Sequence, residues 1–138
     1  MSENTNPEKL QEIINDFNNQ KLDLALKKLD LLKNKLSDTY IVNKLFASIY
    51  FKKMDWKKSI EYYEKNLLYE EEKFKNYLNI GIAFFNLGEI GKSIDAYKKS
   101  IEFNSNFEIT YSNLGISLIE IGKYEDAIYN FLTLMKLN

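Results

Sequence analysis

Apolar residues recur along the chain at spacings of three and four, the period of helices that bury one face. The rhythm is interrupted at Asn19-Gln20, Met54-Asp55, Gly88-Glu89 and Gly122-Lys123. Helices are therefore predicted at about 7–18, 21–35, 39–53, 56–69, 73–87, 90–103, 107–121 and 124–137, joined by the short connections expected of antiparallel neighbours.

The pattern also repeats as a whole. Tyr77, Gly81, Gly88 and Tyr97 recur as Tyr111, Gly115, Gly122 and Phe131, each pair 34 positions apart. The same offset extends upstream as small residues at Ala25, Ser59, Ser93 and Ala127, and as large apolar ones at Leu29, Tyr63, Tyr97 and Phe131. A fixed period in the range of roughly 20–50 residues marks a repeat array in which each unit stacks on the next. Four helix–turn–helix units result, over residues 6–39, 40–73, 74–107 and 108–138. The first is degenerate, keeping Leu10, Ile13, Ile14 and Phe17 but lacking the aromatic–aliphatic–Gly signature.

Glycine inside a helix costs about 1 kcal/mol relative to Ala, so Gly81 and Gly115 require a packing reason. Close approach of the second helix of each hairpin supplies one, with Ala47, Gly81 and Gly115 expected opposite Ser59, Ser93 and Ala127. Gly88 and Gly122 fall where a helix should stop and read as C-terminal caps.

These residues resemble the tetratricopeptide repeat family over almost the whole chain. The fourth unit offers Tyr111, Leu114-Gly115, Leu118, Gly122, Tyr124, Ala127 and Phe131, and the third Tyr77, Ile80-Gly81, Phe84, Gly88, Ser93 and Tyr97. The second is looser, with Phe46-Ala47, Tyr50, Trp56, Ser59 and Tyr63. The family's usual Pro near each unit's end is replaced by Ser37, Glu71 and Ser105. The resemblance implies an all-α, right-handed superhelix forming a single domain over residues 1–138, and a non-enzymatic scaffold or adaptor that binds a protein or peptide.

It further implies that the first helix of each unit lines a concave groove. The groove candidates are Lys44, Ser48 and Phe51 in the second unit, Lys75, Leu78, Asn79, Ile82, Phe85 and Asn86 in the third, and Asn113 and Ile116 in the fourth. Several are apolar beyond what the core requires, which suggests a binding surface. Asn79 and Asn113 occupy equivalent positions, and an amide can both donate to and accept from a peptide backbone. The alternative is that Phe51 and Phe85 simply pack between adjacent first helices. Recognition of a terminal carboxylate is not expected, because Ser48, Ile109 and Asn113 replace the polar and cationic residues such clamps use, and a lone Lys is a weak trap in water.

Composition narrows the chemistry. The 138 residues contain no Cys and no His, which removes thiolate nucleophiles, disulfides, zinc clusters and histidine bases. The basic residues are all Lys, and the formal net charge of −1 provides no field for nucleic acid or an anionic membrane. No catalytic residues, cofactor or metal are therefore expected. The polar start, Met1 to Pro7, lacks the form of a signal peptide, and no apolar run is long enough to span a bilayer, so a cytoplasmic setting without membrane insertion is expected. The lysines around Trp56 read as a solvated turn beside a packed ring. Glu70-Glu71-Glu72 reads as acidic residues favouring the start of the next helix.

The last helix carries Ile128, Phe131, Leu132 and Met135. Family members usually cover this surface with a further polar helix. Its apolar content predicts either a homo-oligomer formed through this helix or a chain that is part of a longer array.

Overall fold

In a computed structural model, residues 7–35 and 39–138 are described. They form α1 Pro7–Asn18, α2 Leu22–Leu32, α3 Thr39–Lys52, α4 Trp56–Lys65, α5 Lys73–Asn86, α6 Ile90–Phe103, α7 Glu108–Glu120 and α8 Tyr124–Leu137. No strand occurs among the described residues. The polar start of the chain and Ser37 lie outside them.

The helices follow the predicted segments, with two early stops. α2 ends at Leu32, where Lys35 N–H turns back to the Leu32 carbonyl at 2.8 Å. α4 ends at Lys65 and tightens into a 3₁₀ turn, Asn66–Leu68. There the Asn66 side chain reaches across to the Tyr40 carbonyl at 3.0 Å, drawing the last turn inward.

One turn geometry closes all four hairpins. Gln20, Met54, Gly88 and Gly122, spaced by the repeat period, have φ of 62°, 59°, 76° and 74°. After each of them, an N–H bonds to the carbonyl five residues back: Lys21 to Asp16, Asp55 to Tyr50, Glu89 to Phe84 and Lys123 to Leu118, at 2.8–2.9 Å. A second bond spans three residues, as from Gly122 N–H to the Ile119 carbonyl at 2.9 Å. Together they satisfy carbonyls that a helix end would leave orphaned.

The helices gather into two compact units, one ending at Asn66 and the other starting at Leu67. In the first, α1–α4 enclose Ile13, Ala25, Leu29, Val42, Phe46 and Ile49. Phe46 stacks on Tyr62 at a centroid distance of 4.7 Å, and Tyr50 lies 5.8 Å from Tyr62. In the second, α5–α8 enclose Leu78, Ile94, Tyr97, Leu114, Leu118 and Ala127.

Inside that second unit Gly81 and Gly115 meet rings rather than the small residues expected. A Cβ on Gly81 would lie 2.4 Å from Tyr97, and one on Gly115 would lie 2.6 Å from Phe131. The glycines make sockets for aromatic side chains. Between Ala47 and Ser59, in the first unit, the small-to-small contact holds, and Ser59 Oγ donates to the Ala47 carbonyl at 3.2 Å.

Side-chain ties to backbone also recur with the repeat. Asn66 donates to the Tyr40 carbonyl, and one period later Ser100 donates to the Phe74 carbonyl at 2.8 Å. Ser100 also pairs with the Thr110 hydroxyl at 3.2 Å, and both residues are fully buried. In the fourth hairpin the equivalent position is Leu134, whose side chain cannot make this bond.

Candidate functional site

α5 and α7 are the first helices of the two hairpins in the second unit. Residues three apart on a helix share a face. Ile82 and Phe85 of α5 and Asn113 and Ile116 of α7 are two such pairs, and both turn toward one concavity. With Tyr97 of α6 they line a pocket of about 200 Å³. Four of the five were expected groove residues, and the structure brings them together.

The lining is apolar except for the Asn113 amide and the Tyr97 hydroxyl. Tyr97 is 2% exposed, and burial pushes its phenol pKa upward, so the ring stays neutral. Ile116, at 44% exposed, forms an open wall. Among the described residues, no charged one lines the concavity. Drug-sized ligands usually occupy ≈ 300–1,000 Å³, so this space is smaller than such ligands need.

Around it, the other candidates divide. Asn79 is half-buried one turn before Ile82, and its amide makes no hydrogen bond with the described residues. The Asn113 amide is likewise unengaged among them. Asn86, by contrast, donates to the Ile82 carbonyl of its own helix at 2.8 Å. Lys75 is paired with Glu72 at 2.5 Å. Leu78 belongs to the core and not to the surface: it is 6% exposed and packs with Ile94, Tyr97 and Leu114. It sits one turn before Gly81, on the face of α5 that meets α6, which sends it inward.

Three candidates lie on α3, in the first unit. Lys44 is exposed, with its ammonium 5.8 Å from the centre of the Tyr40 ring. Ser48 is half-buried. Phe51 packs edge-on against Trp56 at 5.2 Å and Tyr63 at 6.3 Å, both on the second helix of its own hairpin rather than on a neighbouring first helix.

On α8, Ile128, Leu132 and Met135 are exposed, whereas Phe131 is partly withdrawn into the Gly115 socket. Tyr97 is the pocket residue that sequence reasoning passed over, because its repeat position marks it as core. It is core, and its ring also floors the concavity.

The remaining motifs are engaged structurally. Trp56 is half-buried against Phe51, Lys52 lies 4.2 Å from the Phe17 ring centre, and Lys53 pairs with Asp23. Glu70 and Glu72 pair with Lys73 and Lys75 at the start of α5. Among the described residues, no three His, Cys, Asp or Glu side chains converge as metal ligands. No described helix is long and apolar enough to cross a membrane.

Comparison with known proteins supports the same architecture. A tetratricopeptide repeat family profile matches residues 74–107, the segment that holds α5, α6 and most of the pocket. No curated protein matches the chain. Among solved structures, MamA 41-end from Desulfovibrio magneticus RS-1 superposes with a TM-score of 0.87 at 18% identity, covering 98% of this chain and 77% of that one. MamA AMB-1 superposes with a TM-score of 0.82 at 19% identity, covering 94% and 70%. At such identities the likeness concerns the fold. Residues 74–107 thus match a tetratricopeptide repeat and are set in an all-α array of helix–turn–helix hairpins.

Proposed function

We propose that the chain is a non-enzymatic interaction module that holds an extended segment of a partner protein against the α5–α7 face of its second unit. The observation that carries this reading is the apolar pocket formed by Ile82, Phe85, Tyr97, Asn113 and Ile116. An apolar concavity with a few polar groups is the usual form of a recognition site. One large side chain of the bound segment enters the pocket. The amides of Asn113 and Asn79, equivalent positions one repeat apart, bond to the segment's backbone and so grip it without reading its sequence. Because no charge lines the pocket, the segment is read by apolar shape.

The test is fluorescence anisotropy with a labelled peptide library varied in one central apolar residue. Ile116→Glu should abolish binding by placing a carboxylate at the pocket wall. Replacing both Asn113 and Asn79 by Ala should weaken binding roughly tenfold, at about 1 kcal/mol per lost hydrogen bond less what water restores. Unchanged affinity in the double variant sinks the backbone grip, and unchanged affinity in Ile116→Glu sinks the site.

A further inference from the structure

α8 presents an apolar stripe that no described helix covers. Ile128, Leu132 and Met135 are 58%, 52% and 70% exposed, and Tyr124 lies one turn earlier on the same face. One period upstream, the counterpart of Ile128 is Ile94, which is only 6% exposed. Ile94 shares a core cluster with Leu114 and Leu118, because α7 lies over α6. The stripe on α8 is thus a helix-packing surface of the kind α6 fills, with its partner helix absent among the described residues.

We propose that its occupant is α8 of a second copy of this chain, packed antiparallel about a twofold axis that passes between Asn130 and Phe131. Three observations support this choice. The first is the spacing of the stripe. A twofold at that point interleaves the side chains along the seam as Tyr124, Met135 of the second copy, Ile128, Leu132 of the second copy, and then the mirror order. Each side chain meets a gap, as close helix packing requires.

Charge is the second. Glu125 and Lys136 flank the stripe on the same side, about 20° apart when each residue advances roughly 100° around the helix. An antiparallel twofold keeps that side common to both helices and puts Glu125 of one copy level with Lys136 of the other. The pair occurs twice. A self-complementary surface of this form closes as a dimer and does not propagate.

The third concerns the alternative of head-to-tail stacking onto α1. The outward residues of α1, Glu8, Lys9, Gln11, Glu12 and Asn15, are exposed and polar. They offer no apolar face for the stripe.

Sedimentation velocity on the chain, with circular dichroism as the folding control, tests the proposal. A concentration-dependent dimer is expected. Leu132→Glu should leave helicity intact, since the side chain is largely exposed, and should abolish the dimer. Glu125→Lys and Lys136→Glu should each weaken it roughly three- to tenfold, since both copies of the ion pair turn repulsive. Mixing those two single variants should restore association as a heterodimer, because each charge then meets its opposite. Three results would each overturn the proposal: a monomer at millimolar concentration, which leaves the stripe to another protein's helix; a dimer that survives Leu132→Glu; or no recovery on mixing.

Discussion

A Cβ on Gly81 would lie 2.4 Å from Cε1 of Tyr97, a ring that is 2% exposed. Ala is the better helix former by about 1 kcal/mol, so propensity alone favours the substitution. Overpacking of a closed core costs typically about 1–3 kcal/mol and outweighs it. Gly81→Ala should lower stability by about 1–2 kcal/mol in denaturant titration. Combining it with Tyr97→Leu, which empties the socket, should cost less than the sum of the two single changes.

Gly91, also helical, meets nothing within 4 Å and is exposed. Gly91→Ala should therefore raise stability, by a few tenths up to about 1 kcal/mol, through propensity and a less flexible unfolded chain. Opposite signs for the same substitution at positions 81 and 91 would show that the contact, not the residue type, decides.

Met54 holds a left-handed turn with φ of 59° at the position that Gly88 and Gly122 fill in later hairpins. An ordinary L-residue loses roughly 1–2 kcal/mol there, while glycine loses only its extra unfolded-state entropy, about 0.5–1 kcal/mol. Met54 is 71% exposed, so little packing is forfeited. Met54→Gly should stabilise the chain by about 0.5–1 kcal/mol, read as a rise in melting temperature. Gly122→Ala should do the reverse by a similar amount.

Ser100, fully buried, bonds to the Phe74 carbonyl and to the equally buried Thr110 hydroxyl. Ser100→Ala leaves the part-buried Phe74 carbonyl and the buried Thr110 hydroxyl with one partner fewer each, and should cost about 1–2 kcal/mol in the same titration. Ser100→Thr, which keeps the hydroxyl, should cost less if the extra methyl is accommodated.

Burial raises the pKa of Tyr97 above the ordinary tyrosine value. The unfolded chain then ionises first. Stability from this group is whole below the unfolded pKa of about 10 and is lost as pH rises beyond it. Tyr97→Phe keeps the ring and removes the ionisation. The stability difference between the two proteins should be flat through neutral pH and shift in favour of the variant above the unfolded value.

Much of the scaffold was legible because it rests on spacing. The 34-residue offset and the three-and-four rhythm place every helix, and Gly88 and Gly122 announce the turn they adopt. Met54 and Gln20 adopt it too, yet their side chains carry no such signal, since the repeat forces the conformation on whatever stands there. Leu78 shows the limit at the site. On a helix wheel its face borders both core and surface, and only the Gly81 socket, by pulling α6 close, decides that it goes inward. Phe51 was ambiguous for a similar reason: its edge-on contacts with Trp56 and Tyr63 depend on the crossing of two helices. Tyr97 belongs to core and pocket together, a double role that no single-position pattern encodes.

The ties from Asn66 to Tyr40 and from Ser100 to Phe74 end on main-chain oxygen. Every residue type presents that atom alike. The tie therefore does not depend on which side chain stands at the tethered position, Tyr40 in one hairpin and Phe74 in the next. Change at the surface of such an array can then proceed without loosening the joint beneath it.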